Sequence, residues 1–245
     1  MFSIFKKKLP ATPVDFSALK TDMHSHLLPG IDDGAETVND SLKLIDGLRD
    51  LGFQQFITTP HTMWDMYKNT PETIQHSLDN LKEHTNELPV KAASEYFLDD
   101  HFDEMLQQGQ PLLTINGKMV LVEFSFVSPP LNLKEKIFNL QIKGYTPILA
   151  HPERYQFFAT QRKIYHELKD MGCLFQLNLL SLCGYYGKIS SDLATWMIEQ
   201  QMINLVGTDL HHQRHLDVLR QGTAIMRPLN TLLDAGLLQN PVLSV

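Results

Sequence analysis

The chain has 245 residues and a mass of 28.0 kDa, with 21 basic and 28 acidic side chains, a formal net charge of −7, eleven histidines and two cysteines. That length suits one or two domains, and a single α/β barrel would use all of it. A hydrophobic content of 43% with 20% charged residues excludes wholesale disorder, the acidic balance argues against a nucleic-acid partner, and Cys173 and Cys183 are too few for a disulfide framework, which suits a reducing cytoplasm.

The first ten residues, MFSIFKKKLP, put apolar side chains ahead of Lys6, Lys7 and Lys8. A secretory signal has the reverse order and a longer apolar core. Phe2, Ile4, Phe5 and Leu9 beside those lysines suit peripheral contact of residues 1–10 with an anionic membrane surface; a frayed tail is the ordinary alternative. No run of about 18 apolar residues is present, so no transmembrane helix is expected. Residues 1–19 read as an N-terminal extension and 20–245 as one domain.

From there β-like runs alternate with helical patterns. A strand over 20–26 precedes a helix whose stripe is Val38, Leu42, Ile45 and Leu48, with Thr37 as its cap and Gly52 as its stop. A second strand, 53–59, leads to His61. Thr70-Pro71 opens the next helix, with Ile74, Leu78 and Leu81 on its inner side. A third strand covers 90–95 and a short helix 99–108. The fourth strand, 119–124, is an almost unbroken apolar run, as buried parallel strands are. A helix over 133–143, a strand over 146–151, a helix over 162–171 and a strand over 173–178 follow. A helix near 191–201, a seventh strand over 203–209 and two helices within 215–238 close the chain. Seven such β/α units predict an α/β barrel one strand short of eight.

The chemistry-bearing residues cluster at the strand ends. His24 and His26 end the first strand, His61 follows the second, Glu95 ends the third, Glu123 lies near the end of the fourth, His151 ends the fifth, and Asp209 and His211 end the seventh. C-terminal strand ends of a barrel meet at one mouth, so residues spread over most of the chain converge there. Each alone has an ordinary alternative. His24-x-His26 could be a surface pair on one strand face, Asp32-Asp33-Gly34 a turn, Glu123 half of a buried ion pair, and His151 a core histidine. Taken together, histidines and carboxylates without cysteine suit Mn, Zn or Fe rather than a structural zinc site. Bridging by Glu95 or Glu123 would let two or three ions sit close enough to activate a water and clamp phosphoryl oxygens. The other six histidines, His76, His84, His101, His166, His212 and His215, read as ordinary surface residues.

The stretches DMHSHLLPGIDDGA (22–35), TTPH (58–61), ASEYF (93–97), LVEFSF (121–126), ILAHPERY (148–155) and GTDLH (207–211) occur in an order and spacing that resembles the PHP (polymerase and histidinol phosphatase) superfamily. Within it the chain most resembles the bacterial metal-dependent protein tyrosine phosphatases of capsule and exopolysaccharide operons, the CpsB, CapC and YwqE group. The resemblance implies a single-domain, distorted (β/α)7 barrel with three divalent ions, usually manganese. It implies a first metal on His24 and His26 with Glu95 and Asp209, a second on Glu123 and His151 bridged by Glu95, and a third among Asp33, His61 and His211. Arg154 matches the arginine of the family's H-x-E-R stretch, and Arg214 stands nearest to a second arginine expected after the last motif. Two departures are visible: about 20 residues precede the H-x-H, and HQRHL after the last motif is atypical.

The expected reaction is hydrolysis of phosphotyrosine on protein by a metal-bridging hydroxide, with arginine on the phosphoryl oxygens. Neither cysteine heads a C-x5-R loop, so a cysteine nucleophile is not expected. Trp64, Tyr67 and Tyr155, with Phe157 and Phe158, are candidates for holding the tyrosine ring. The substrate implied by the family is a membrane-bound bacterial tyrosine kinase of polysaccharide export. Alternatives on similar residues are a small-molecule phosphatase such as a histidinol-phosphate phosphatase, an amidohydrolase, and a non-catalytic metal-binding partner.

Overall fold

The computed structural model describes residues 13–84 and 89–245. The membrane contact expected of residues 1–10 therefore lies outside the described residues. From residue 13 the chain is already part of the body. Phe16 and Leu19 are wholly buried, and the Phe16 amide donates to the Leu51 carbonyl. Those two apolar side chains belong to the core.

The described residues contain nine parallel strands: β1 (Thr21–Asp22), β2 (Gln55–Thr58), β3 (His61–Thr62), β4 (Val90–Ala92), β5 (Glu95–Phe97), β6 (Met119–Glu123), β7 (Thr146–Ala150), β8 (Leu174–Asn178) and β9 (Leu205–Gly207). They form one sheet in the order β1-β2-β4 and a second in the order β3-β5-β6-β7-β8-β9. The second and third expected strands are each broken in two. Pro60 lacks the N–H a ladder needs, and Ser94 takes over locally, its Oγ donating to the Pro60 carbonyl. The broken strands carry the chain from one sheet to the other. A parallel bridge between Ser25 and Leu210 joins the first strand segment to the last. Asn240 clips the same junction from below, bonding the Val206 amide and carbonyl and the Thr21 carbonyl.

Among the described residues eight α-helices cover the outside: α1 (Val38–Asp50), α2 (Pro71–Lys82), α3 (Asp100–Gln108), α4 (Leu133–Ile142), α5 (Lys163–Asp170), α6 (Lys188–Glu199), α7 (Gln213–Gln221) and α8 (Met226–Asp234). Their starts follow local chemistry. The Thr37 hydroxyl accepts from the Asp40 amide, Thr70 and Thr73 form a reciprocal capping box, and the Asp99 carboxylate accepts from the Phe102 amide. Helix α6 begins three residues before the sequence expectation, since Ser190 is buried within it rather than capping it.

Side chains on a strand alternate faces, which divides the core in two. The larger apolar cluster lies between strands and helices. A smaller one gathers Met23, Ile57, Ala93, Leu121, Ile148, Ala150 and Leu205 from successive strands. Glu123 shares its strand face with Leu121, so the inner apolar plug leads directly to the carboxylates at the strand ends.

Candidate metal centre

All nine expected ligands except Asp33 are buried or nearly so, and they converge. His24 Nε2 lies 3.2 Å from Glu95 Oε2 and 3.4 Å from Asp209 Oδ1. His26 Nε2 lies 3.5 Å and 3.3 Å from the same two oxygens. His61 turns Nδ1 to Glu95 Oε2 (3.2 Å) and Glu123 Oε1 (3.0 Å), and Nε2 to Asp33 Oδ1 (3.5 Å). His151 Nε2 is 3.1 Å from Glu95 Oε1 and 3.8 Å from Glu123 Oε2. His211 Nε2 is 3.5 Å from Asp33 Oδ1. Three groups result that could each hold an ion: His24, His26, Glu95 and Asp209; His61, Glu95 and Glu123; and His26, Asp33, His61 and His211.

The backbone aims these groups at some cost. His151 (φ 33°) and Asp209 (φ 50°) adopt the left-handed region, where non-glycine residues are rare and strained. Two glycines make room for the imidazoles. A Cβ on Gly207 would stand 2.6 Å from the His24 Cβ, and one on Gly34 would stand 2.2 Å from the His26 carbonyl oxygen.

The donor set passes a direct test for metal. His24 Nε2, His26 Nε2, His61 Nδ1, Glu95 Oε2 and Glu123 Oε1 are buried, yet none makes a hydrogen bond. Unsatisfied buried polar atoms are expensive. Ligands about 2.1 Å from a shared ion stand about 3.0–3.4 Å from one another, close to the 3.0–3.5 Å at which these nitrogens face these carboxylate oxygens. The arrangement therefore fits divalent cations.

A further layer orients the ligands, as is usual around metals. Asp32 Oδ2 meets His26 Nδ1 at 2.8 Å and accepts from the His61 amide. Gln176 Oε1 meets His24 Nδ1 at 2.8 Å and accepts from the His151 amide. Asp209 Oδ2 accepts from Arg154 Nη1 at 2.7 Å and from Asn178 Nδ2 at 2.9 Å, leaving Oδ1 to the histidines. From the sequence Asp32 reads only as a turn residue, and nothing singles out Gln176 or Asn178. The signal for the amides is the 176/178 spacing at a strand end, the same i, i+2 geometry as His24 and His26.

Charge follows from this packing. Burial works against protonating His24, but the Glu95 and Asp209 carboxylates overcome it and push its pKa up to about 9. Burial likewise opposes ionising Asp209 and Glu95, and the surrounding histidines, with Arg154 at Asp209, hold both well below the carboxylate range. Burial and the His26 charge push His211 down to about 4. A His24 nitrogen that holds a proton cannot ligate, so cation binding must displace it. Metal affinity should rise with pH toward 9, by about tenfold per pH unit for each proton displaced. Equilibrium dialysis at several pH values checks this, and a flat affinity between pH 6.5 and 8.5 would contradict it.

The other expected residues divide. Arg154 is beside the cluster. Arg214 is exposed and makes no ion pair among the described residues. Tyr67 stacks on the His61 ring at 5.6 Å, and Trp64 stacks on His101 at 3.7 Å at the rim. Tyr155 is wholly buried, its ring on Phe124 and its hydroxyl accepting from the Phe124 amide, so it cannot face a substrate. Phe158 is buried too, and Phe157 packs against the core. The left-handed turn at His151 sends this segment inward. The aromatics at Arg154 are instead Phe126 and Tyr186. His215, expected at the surface, is buried and accepts from the His211 amide.

A family profile described as capsular polysaccharide synthesis, CpsB/CapC, matches residues 20–225. Tyrosine-protein phosphatase YwqE of Bacillus subtilis is 30% identical over 195 residues, covering 78% of this chain and 77% of YwqE. Tyrosine-protein phosphatase CpsB of Streptococcus agalactiae is 28% identical over 207 residues, covering 78% and 82%. A structure from work on YwqE of Bacillus subtilis and CpsB of Streptococcus pneumoniae, described as metal-dependent tyrosine phosphatases, superposes with a TM-score of 0.76 at 27% identity, covering 91% of this chain and 90% of the other.

Proposed function

The chain belongs to the CpsB/CapC family, and we propose that it is a metal-dependent phosphomonoester hydrolase acting on phosphotyrosine in proteins. The observation that carries this is the buried histidine–carboxylate cluster whose inward atoms have no hydrogen-bond partners, with an arginine at its edge. We read the fold as the distorted (β/α)7 barrel, because seven strand segments neighbour one another in sequence order and the last bridges to the first. On this reading the catalytic domain takes in the buried Phe16 and Leu19 ahead of residue 20.

His24, His26, Glu95 and Asp209 would hold one ion. Glu123 and His151, with Glu95 shared, would hold a second, and Asp33, His61 and His211 a third. A neutral imidazole has one lone pair to give, so His61 serves one group at a time, and His151 completes the Glu95–Glu123 pair when His61 serves Asp33. Manganese suits this oxygen- and nitrogen-rich set, as do zinc and iron. Bound there, divalent ions supply Lewis acidity and a water of lowered pKa as nucleophile. Three such charges outweigh the four carboxylates, so an acidic chain can still attract a phosphate dianion.

The chain's own residues do the rest. Asp209 anchors one edge of the Arg154 guanidinium, and the remaining N–H groups are available to phosphoryl oxygens. The leaving phenolate has a pKa of about 10 and departs without an acid's help. An alkyl alcohol would need a proton donor, whereas Asp32 and Glu153 are turned to internal partners. Cys173 is wholly buried with its thiol pushed up to about 12 by that burial, which removes it as a nucleophile. Among the described residues no helix is long and apolar enough to cross a membrane. We place the enzyme in the cytoplasm, acting on a membrane-bound tyrosine kinase of polysaccharide export, with Trp64 and Tyr67 at the rim toward the protein substrate.

Turnover of a phosphotyrosyl peptide and of histidinol phosphate by the same metal-loaded sample tests the reading. The peptide should be preferred by at least about a hundredfold in kcat/KM, the scale of one transition-state interaction. Preference for histidinol phosphate would favour the small-molecule alternative.

A further inference from the structure

Two recesses adjoin the metal cluster. One, about 370 Å³, lies beside Asp33 and His211 and is lined also by Glu36 and Asp40. Its carboxylates disfavour a phosphate dianion, and it contains no phenyl or phenol ring. The other, about 320 Å³, is lined by Phe126, Arg154, Gln156, Tyr186 and Ser190. It is formed by the segments that follow β6, β7 and β8.

Its construction is specific. The Arg154 guanidinium carbon lies 4.3 Å from the Phe126 ring centre and 4.1 Å from that of Tyr186. The guanidinium is therefore covered by aromatic rings, and its remaining freedom is at its edge. One donor at that edge is fixed on Asp209. Tyr186 is held in turn by Asn178, whose Nδ2 reaches the phenol oxygen at 3.3 Å and also bonds Asp209. Gln156 closes the far wall by donating to Ser190 Oγ. Phe126 lies 5.3 Å from the His151 ring and is still 45% exposed. That exposed ring face borders the cluster and is open to a ligand.

Resting on the phosphotyrosine reading above, we propose that this recess is the subsite for the tyrosyl ring of the substrate, with Phe126 as the wall that recognises an aromatic leaving group. With the phosphoryl group at the cluster and at the edge of Arg154, an ester oxygen places its aryl ring next to Phe126 and Tyr186. Ring–ring contact then adds to binding, which a bare phosphate ion cannot use. Specificity for aryl esters thus resides on the loop after β6, and not in the aromatic run after His151.

The test uses the metal-loaded full chain and two readouts: KM for a phosphotyrosyl peptide and the inhibition constant of inorganic phosphate. Phe126→Leu should raise the peptide KM about five- to tenfold, while the phosphate constant stays within about twofold because phosphate does not reach the ring. Phe126→Tyr should restore the KM, and Phe138→Ala, on α4 outside the recess, should leave both at their original values. A parallel rise of both constants in Phe126→Leu would mean that the ring only steadies Arg154, and would overturn the subsite. An unaltered KM would overturn it as well. If the unaltered protein fails to hydrolyse the peptide with any of the metals, the phosphotyrosine reading itself fails, and the subsite with it.

Discussion

Glu95→Gln should abolish metal loading and hydrolysis together. Glu95 Oε2 stands 3.2–3.5 Å from nitrogens of His24, His26 and His61, and Oε1 stands 3.1 Å from His151 Nε2. Its two oxygens together face four histidines, whereas Asp209 Oδ1 faces three. Glutamine keeps the shape and therefore the packing, but it removes the charge that offsets the cations and presents one end as a donor. A donor aimed at cationic or metal-bound nitrogens has no acceptor to meet. The expected loss is at least about a thousandfold in kcat, larger than one hydrogen bond would account for. Metal analysis of the purified variant should show depletion in parallel. A variant that retains its metal and works within tenfold of the original would mean that Glu95 is a structural ion-pair partner only.

Arg154→Ala is expected to separate the two functions that Glu95→Gln removes at once. Arg154 stands at the cluster's edge, bonded to the far oxygen of Asp209 rather than to the one facing the histidines. Its removal should spare most of the metal and lower kcat/KM by about a hundred- to a thousandfold, the usual scale for an oriented donor on a developing charge. Lysine should not rescue it. A point charge on a flexible stem can neither lie between the Phe126 and Tyr186 rings as a plane nor reach Asp209 and a phosphoryl oxygen together. Steady-state kinetics with metal content measured on each sample decides it, and full activity in Arg154→Lys would contradict the role.

Much of this site was legible in the sequence because strand ends impose a simple rule. An apolar run that stops at a histidine or carboxylate points that residue at the mouth, as Glu123 and His151 do, while His24, His26 and Asp209 follow from their place just past a strand. Helix starts were equally legible at Thr37 and Thr70, where one hydroxyl satisfies a free amide. The less legible parts depend on partners distant in the chain. Asp32 and Asp33 are adjacent and chemically identical, and only the fold turns one to His26 Nδ1 and the other to His61 and His211. Gln176 and Asn178 look like ordinary polar residues until β8 is placed between β7 and β9. The break of two strands at Pro60 and Ser94 comes from a missing amide whose effect is felt on a neighbouring strand. The burial of Tyr155 was not legible, because periodicity does not foresee a left-handed residue at a strand end. His151 reverses the chain there, burying Tyr155 and leaving Phe126 beside Arg154.

The central claim is that the unsatisfied atoms of the buried cluster are the holding points of divalent ions on which phosphotyrosine hydrolysis depends. The most direct test strips the protein with a chelator, restores Mn, Zn or Fe separately, and measures bound metal per chain and phosphotyrosyl-peptide turnover on the same samples. Turnover should vanish on stripping and return in proportion to bound metal, reaching its maximum above one ion per chain. Turnover that survives complete stripping, or metal binding that restores none of it, would contradict the claim.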